Sequence, residues 1–165
     1  MKNKSLIFYI FLIILFFKPY SHAAPLQDRD IEAALSSAEL IFKTMKDRNY
    51  PTIWYLLTRK SRDTIVDDVY KAEAKAGVQY TKTNIAEDFN NGGLLSQTYW
   101  NSFLENFNPD IVLDESKWDI GKFDKDRGEV IIRYRKAEKP AIIQMFKEEG
   151  VWKVGLTETF WTRKK

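Results

Sequence analysis

The chain has 165 residues, of which 44% are hydrophobic and 30% are charged, and it contains no cysteine. The formal charge of +3 disappears when the first 24 residues are set aside, because they hold three lysines and no acid and leave 23 basic against 23 acidic side chains. This balance lacks the electrostatic footprint of a nucleic-acid-binding protein, and the missing cysteines exclude disulfides. We therefore expect no nucleic-acid partner and a core that is held by packing alone.

Residues 1–24 have the pattern of a secretory signal peptide. Lys2 and Lys4 precede an apolar run from Leu6 to Phe17, and small residues follow up to Ala23 and Ala24. We predict cleavage after Ala23 or Ala24 and a mature protein that is periplasmic or secreted. It would not be a lipoprotein, because no cysteine can carry the lipid. The alternative is an uncleaved segment that anchors the protein to the membrane.

Residues 25–165 are of ordinary size for a single domain, and we expect one. Apolar residues at helical spacing predict four helices in its first two thirds. We place them from a cap at Asp28 or Asp30 to Met45, from Pro51 to Thr58, from Arg62 to Ala76 after a Ser61 cap, and from Leu94 to Phe107. Ile85–Phe89 is compatible with a helical turn or a short strand, and we expect Ile111–Leu113 to start a sheet.

Four runs rich in β-branched and aromatic residues follow, and each is bounded by turn-forming residues. They are Lys117–Phe123, Glu129–Arg135, Pro140–Phe146 and Val151–Leu156. Their connections are too short for helical crossovers, so neighbouring strands must be antiparallel. The sequence therefore predicts an α+β fold in which N-terminal helices pack against a curved antiparallel β-meander.

Two stretches of the chain, Phe42–Tyr50 followed by Ile53–Thr58 and Lys147–Val154, carry a resemblance to a known family. The family is the nuclear transport factor 2-like superfamily. The first stretch is similar to the family's first helix, its break and its second helix, and the second is similar to the hairpin that often closes these sheets. The resemblance implies a cystatin-like cone, with helices closing over a strongly curved sheet, and the pairing of two copies through the sheet. It implies no single function, because the superfamily includes enzymes, transport adaptors and secretion-system subunits.

The most informative absence concerns histidine. His22 is the single histidine and lies in the predicted signal peptide, so residues 25–165 contain neither histidine nor cysteine. This excludes Ser-His-Asp and Cys-His catalysis and histidine-based metal sites in the mature domain. We predict no catalytic residue, no metal site and no cofactor.

Two groups of side chains remain as candidate binding sites. An aromatic group on the predicted helices and sheet can wall a ligand pocket, although such residues also serve as ordinary core. It comprises Trp54, Tyr55, Tyr99, Trp100, Phe103 and Tyr134. The second group, Arg133 and Arg135, shares one face of a strand and can contact an anion, with Lys153 beside them if the register permits. A plain solvated face is the alternative.

We therefore predict an exported, non-enzymatic domain that binds a small apolar or amphipathic ligand or a partner protein. One alternative is a histidine-independent isomerase or lyase in which Asp88 or Asp119 works with Tyr55, Tyr99 or Tyr134. A second alternative is an envelope-assembly subunit that is held by the uncleaved N-terminal segment. The acidic pair Asp67 and Asp68 fits a solvated helix face better than an acid/base or metal site.

Overall fold

The structure is a computed structural model and describes residues 26–160; the predicted signal peptide lies outside these residues. Seven helices and four strands make up the described part of the chain. The helices are α1 (Leu26–Lys46), α2 (Tyr50–Leu56), α3 (Arg59–Lys75), α4 (Lys82–Asn91), α5 (Leu94–Glu105), α6 (Pro109–Asp114) and α7 (Leu156–Phe160). The strands are β1 (Ser116–Phe123), β2 (Arg127–Tyr134), β3 (Ala141–Glu148) and β4 (Val151–Gly155).

The four strands form one antiparallel sheet in the order β1-β2-β3-β4, which stays open and does not close into a barrel. Side chains alternate between its two faces, as pleating requires. On β2, Val130 and Ile132 are buried on the inner face, whereas Arg133 is exposed on the outer face. The predicted α+β class, with N-terminal helices followed by an antiparallel meander, is confirmed.

Helix α1 covers the inner face of the sheet and contacts all four strands. Its buried stripe recurs at helical spacing and consists of Ala34, Ala38, Ile41, Phe42 and Met45. The stripe packs with inward-facing side chains of the sheet, namely Val130, Ile132, Ile143, Met145, Trp152 and Val154. Each large apolar side chain buried here contributes about 2 kcal/mol of transfer free energy, so this contact is the main stabilising layer of the fold.

A polar contact fixes the N-terminal end of α1 on the sheet. The carboxylate of Asp30 accepts hydrogen bonds from Lys147 Nζ at 2.6 Å and from Trp152 Nε1 at 3.2 Å. The predicted capping role is wrong for both Asp28 and Asp30, because α1 begins at Leu26 and both residues lie within the helix. The hydrogen bonds from Lys147 and Trp152 hold the pKa of Asp30 below its usual value.

The starts of α2 and α3 follow from their capping residues. Asn49 caps α2 by accepting a hydrogen bond from the backbone N–H of Thr52 at 3.3 Å. Thr58 caps α3 by accepting one from the backbone N–H of Ser61 at 3.0 Å. The prediction of a Ser61 cap is wrong, because Thr58 offers the same hydroxyl chemistry one turn earlier and lets the helix begin at Arg59.

Two further segments correct the sequence-based assignment. Ile85–Phe89 lies within α4, where a capping box between Thr81 and Asn84 starts the helix. Ile111–Leu113 does not start the sheet but belongs to α6. Asn108 accepts a hydrogen bond from the backbone N–H of Asp110 there, and Pro109 occupies the first helical position, which favours a helix over a strand.

The C-terminal end of the described chain differs from the prediction as well. Strand β4 ends at Gly155, and the chain continues directly into α7, a short helix that the sequence pattern did not indicate. Thr159 Oγ1 accepts a hydrogen bond from the backbone N–H of Gln144 at 2.9 Å, which fixes α7 beside β3. Among the described helices, none has the length and apolar character needed to cross a membrane.

The turn between β3 and β4 generates a stability prediction. Its two residues, Glu149 and Gly150, have φ values of 52° and 80°, as in a type I′ hairpin turn, where asparagine is preferred before glycine. We expect Glu149→Asn to raise the free energy of unfolding by roughly 1 kcal/mol, the lower end of the cost of a left-handed non-glycine residue. Chemical denaturation measures this, and Glu149→Gln is the matched control. A gain of equal size in the control would contradict the turn argument, because glutamine removes only the charge.

The contact of Asp30 with the sheet generates a pH prediction. A carboxyl group whose pKa is lowered by folding stabilises the protein above its unfolded value of 3.8, and this stabilisation is lost as the pH falls. We expect Asp30→Asn to lower the thermal unfolding midpoint near neutral pH. In acid, the difference in midpoint between the variant and the wild type should become smaller. Asp28→Asn, which alters an exposed carboxylate in the first turn of α1, is the control. An equal loss in both variants at every pH would refute the role of Asp30.

Candidate functional site

Most of the predicted pocket aromatics are packed against each other. Eight rings form a continuous series in which neighbouring centroids lie 4.8–5.8 Å apart, and we call this series the aromatic chain. In order, its members are Trp54, Phe89, Tyr99, Trp100, Phe103, Phe107, Phe42 and Trp118. It runs from α2 through α4, α5 and α1 to β1. These rings therefore occupy the space in which the sequence placed a ligand pocket.

The other two predicted pocket residues lie apart from the aromatic chain. Tyr55 is 57% exposed, and Tyr134 is half-buried on β2, with the ammonium group of Lys136 over its ring. Four surface grooves of about 310–530 Å³ lie over the described residues, and none of the six predicted aromatics lines any of them. Ligand binding by these residues stays a prediction.

The carboxylates proposed for acid/base chemistry have structural partners. Asp88 Oδ1 accepts a hydrogen bond from the backbone N–H of Ser96 at 2.8 Å and so caps α5, whose own cap residue Gly93 has no side chain. Asp119 pairs with Arg133 at 3.7 Å on the outer face of the sheet. Among the described residues, no hydrogen bond joins either carboxylate to Tyr55, Tyr99 or Tyr134.

The half-buried tyrosine of the aromatic chain, Tyr99, is held in its neutral form. Burial raises the pKa of Tyr99 to about 12, and the negative charge of Asp68 adds to this shift. A phenol with this pKa remains protonated throughout the physiological range. Tyr99 therefore behaves as a core ring and not as a general base.

The predicted anion contacts are already occupied by acids. Arg133 pairs with Asp119, and Arg135 pairs with Glu115 at 3.1 Å, in exposed surroundings where such pairs contribute little to stability. Lys153 does not join them. Its ammonium group donates a hydrogen bond to the backbone carbonyl of Tyr55 at 2.6 Å and lies 3.4 Å from the centroid of that ring. Burial lowers the pKa of Lys153, and the nearby Arg62 adds to the shift.

The acidic helix pair shows no ligand-binding arrangement. Asp67 forms an ion pair with Lys82 at 2.6 Å, and Asp68 is exposed. Within residues 26–160, no three or more histidine, cysteine, aspartate or glutamate side chains are grouped so that they could hold a metal ion.

A cluster of hydroxyl groups surrounds one carboxylate where α7 meets α3, and we call it the hydroxyl cluster. Thr58 donates a hydrogen bond to Glu158 Oε1 at 2.9 Å, while Ser61 and Thr157 donate to Glu158 Oε2 at 2.7 and 3.0 Å. Thr58, Ser61 and Thr157 are buried. Charge-assisted hydrogen bonds of this kind are stronger than neutral ones, so the cluster holds α7 firmly against the start of α3.

The outer face of the sheet carries a groove of about 480 Å³ beside α7, which we call the outer-face groove. Its floor is formed by the outward-facing residues of β3, namely Ile142, Gln144 and Phe146, while Ile143 and Met145 between them are buried on the other face. Glu158 and Thr159 of α7 form part of its lining, together with Lys60 of α3 and Arg127 of β2. The groove thus lies where α7 and the start of α3 border the outer face of β3.

Charge is distributed unevenly along the outer-face groove. Arg127 lies opposite Phe146 in the strand register, and its guanidinium group is 5.7 Å from the centroid of the Phe146 ring. Lys60 and Arg127 form no ion pair with another residue of the described chain. Ile142, at the other end of the floor, is 37% exposed and pairs in register with Ile131. The lining therefore holds two cations and one acid, Glu158, with Arg127 at the Phe146 end of the floor and the apolar Ile142 at the other end.

Sequence analysis did not identify this groove. The alternation in the third predicted strand was a usable signal, because Ile142 and Phe146 share the face opposite to Ile143 and Met145 and neither is charged. An outward-facing isoleucine and phenylalanine on a half-exposed strand indicate a contact surface. The part of the lining that α7 and Lys60 form could not be predicted from the sequence, because both reach the groove only through tertiary packing.

Comparison of the chain with protein-family models, with curated proteins and with solved structures found no match. Function must therefore be argued from the geometry of the described residues.

The raised pKa of Tyr99 generates a prediction at alkaline pH. A phenol with a higher pKa in the folded than in the unfolded state stabilises the protein fully below pH 10, and this contribution is lost as the pH rises towards 12. We expect wild type to lose roughly 2 kcal/mol more than Tyr99→Phe over that interval, since each pKa unit corresponds to about 1.4 kcal/mol. Urea denaturation at a series of pH values measures the difference. Parallel curves for the two proteins would show that Tyr99 ionises normally in the fold.

Proposed function

We propose that this protein is an exported, non-enzymatic domain of the nuclear transport factor 2-like type and that it binds a partner protein through its surface. The observation that carries the proposal is the aromatic chain. It packs eight rings of α2, α4, α5, α1 and β1 against one another, and a ligand-binding or catalytic member of such a fold would need an open cavity within this layer. Function is therefore assigned to the outside of the domain.

The arrangement of the candidate catalytic groups also supports a non-enzymatic role. Proton-transfer catalysis needs a carboxylate within hydrogen-bonding reach of the reacting atom and a pKa close to the working pH. Asp88 is engaged as a helix cap, Asp119 pairs with an arginine, and Tyr99 has a pKa of about 12. None of these groups has the surroundings of an acid/base catalyst.

Two features support the remaining parts of the proposal. The order of elements, with helices first and an open antiparallel meander after them, fits the nuclear transport factor 2-like arrangement. The sequence of residues 1–24 has the three regions of a cleavable signal peptide and predicts a periplasmic or secreted protein.

Native mass spectrometry tests these parts together. The full-length chain is expressed in a bacterium with two membranes, and the protein is recovered from the periplasm and from the culture medium. We expect the mass of a chain that begins at Ala24 or Pro25 and carries no bound small molecule, because four of the six predicted pocket aromatics, Trp54, Tyr99, Trp100 and Phe103, are packed against other rings. An intact N-terminus would contradict export by a cleaved signal.

A variant with a cavity in its core is the control for small-molecule binding in the interior. Trp100 is fully buried, so Trp100→Ala should open a cavity that takes up an apolar probe such as benzene, while the wild-type protein does not bind it. An increase in thermal stability on adding the probe reports binding. Equal stabilisation of the wild-type protein would show that its interior is open and would refute the main argument for a surface function.

A further inference from the structure

We propose that the outer-face groove binds a short, extended peptide segment in which acidic and apolar side chains are combined. This inference rests on the proposed function, because it names the surface that the partner contacts and the chemistry of the segment that it contributes. Three properties of the groove carry it: its length along one strand, its unpaired cations and its apolar end.

The length of the groove sets the size of the segment. Its floor consists of alternate residues of one strand, from Ile142 through Gln144 to Phe146. Four steps at about 3.4 Å per residue give a floor of about 14 Å, which matches four or five residues of extended peptide. The apolar ends of the floor are separated by the polar side chain of Gln144, which can exchange hydrogen bonds with a peptide backbone.

The cations select an acidic side chain. Lys60 and Arg127 both line the groove and have no ion-pair partner in residues 26–160. Stacking of Arg127 on the Phe146 ring orients the guanidinium group without consuming its hydrogen-bonding capacity. Glu158, the acid in the lining, accepts hydrogen bonds from the hydroxyl groups of Thr58 and Ser61 and is thus held towards α3. A carboxylate of the partner would find two cationic donors in the lining of the groove.

The apolar end selects a hydrophobic side chain. Ile142 is 37% exposed, and its register partner Ile131 continues the apolar surface onto β2. A partner side chain that covers these two residues would remove apolar area from water at about 25 cal/mol per Å². The segment that fits the groove therefore has a carboxylate at one end and a branched aliphatic or aromatic side chain at the other.

Charge also favours an acidic peptide over two other occupants of the groove, a second copy of the chain and the chain's own C-terminal residues. A second copy stacked on the same face would bring another Lys60 and Arg127 to the interface, and the repulsion of like charges opposes that arrangement. The chain's own residues 161–165 include Arg163, Lys164 and Lys165, which do not complement the cations of the lining. An acidic segment of another protein meets neither objection.

Fluorescence anisotropy with labelled peptides tests the inference on the whole mature chain. The probes are a five-residue peptide with aspartate at its first and leucine at its fifth position, which lie on the same face of an extended chain, and a matched peptide with lysine in place of the aspartate. We expect the acidic peptide to bind and the basic one not to bind. Arg127→Gln and Lys60→Gln should each weaken binding by about tenfold, the effect of losing one charge-assisted hydrogen bond. Ile142→Ser should weaken it as well, through the apolar end.

The matched control is Lys43→Gln on α1, which alters an exposed cation on the opposite side of the domain. Equal losses in Lys43→Gln and Arg127→Gln would overturn the inference, because they would indicate non-specific attraction. Peptide binding that appears only after residues 161–165 are removed would also overturn the inference, because residues 161–165 would then be the occupant of the groove. Concentration-dependent dimerisation abolished by Ile142→Asp would identify a second copy as the occupant and would also overturn it.

Failure of this inference is distinguishable from failure of the proposed function. If neither peptide binds but the wild-type interior excludes benzene, the assignment of the groove is wrong and surface binding as such still stands. If the wild-type interior takes up benzene, the proposed function fails whatever the peptides do.

Discussion

The packing of aromatic rings among the helices, continued to Trp118 of β1, is the constraint on which the rest of the structure depends. Trp54, Phe89 and Trp100 are buried, and the series continues through neighbouring rings to Trp118 on β1. Aromatic pairs at these separations contribute roughly 0.5–1.5 kcal/mol each beyond the area that they bury. Without disulfides, this network and the apolar stripe of α1 must hold the helical layer on the sheet.

The outer side of the sheet carries the groove to which we assign the function. Helix α7 lies beside β3, and the hydroxyl cluster around Glu158 fastens it to the start of α3. This connection brings Lys60 next to the outward-facing side chains of β3 and converts a flat sheet face into a groove. Such a surface can recognise a peptide by its charge and apolar side chains, whereas it offers no enclosed, water-excluding site for catalysis.

Features that depend on neighbouring residues in the chain could be predicted from the sequence, whereas features that depend on tertiary packing could not. Alternation on β2 predicted which face holds Val130 and which holds Arg133, and the short connections predicted the antiparallel meander. Ile111–Leu113 was misassigned because β-branched residues suit strands, while the cap at Asn108 decided for a helix. The groove was not predicted because Lys60 lies far from β3 along the chain and reaches it only through the fold.

Site-specific photocrosslinking in living cells tests most directly whether the outer face of the sheet is the functional surface. A benzophenone amino acid is placed at Ile142 in the groove or at Leu94, which is 76% exposed at the start of α5. The account predicts one discrete protein adduct from position 142 and none from position 94, and Arg127→Gln should reduce its yield. An adduct from position 94 alone, or equal adducts from both positions, would contradict it.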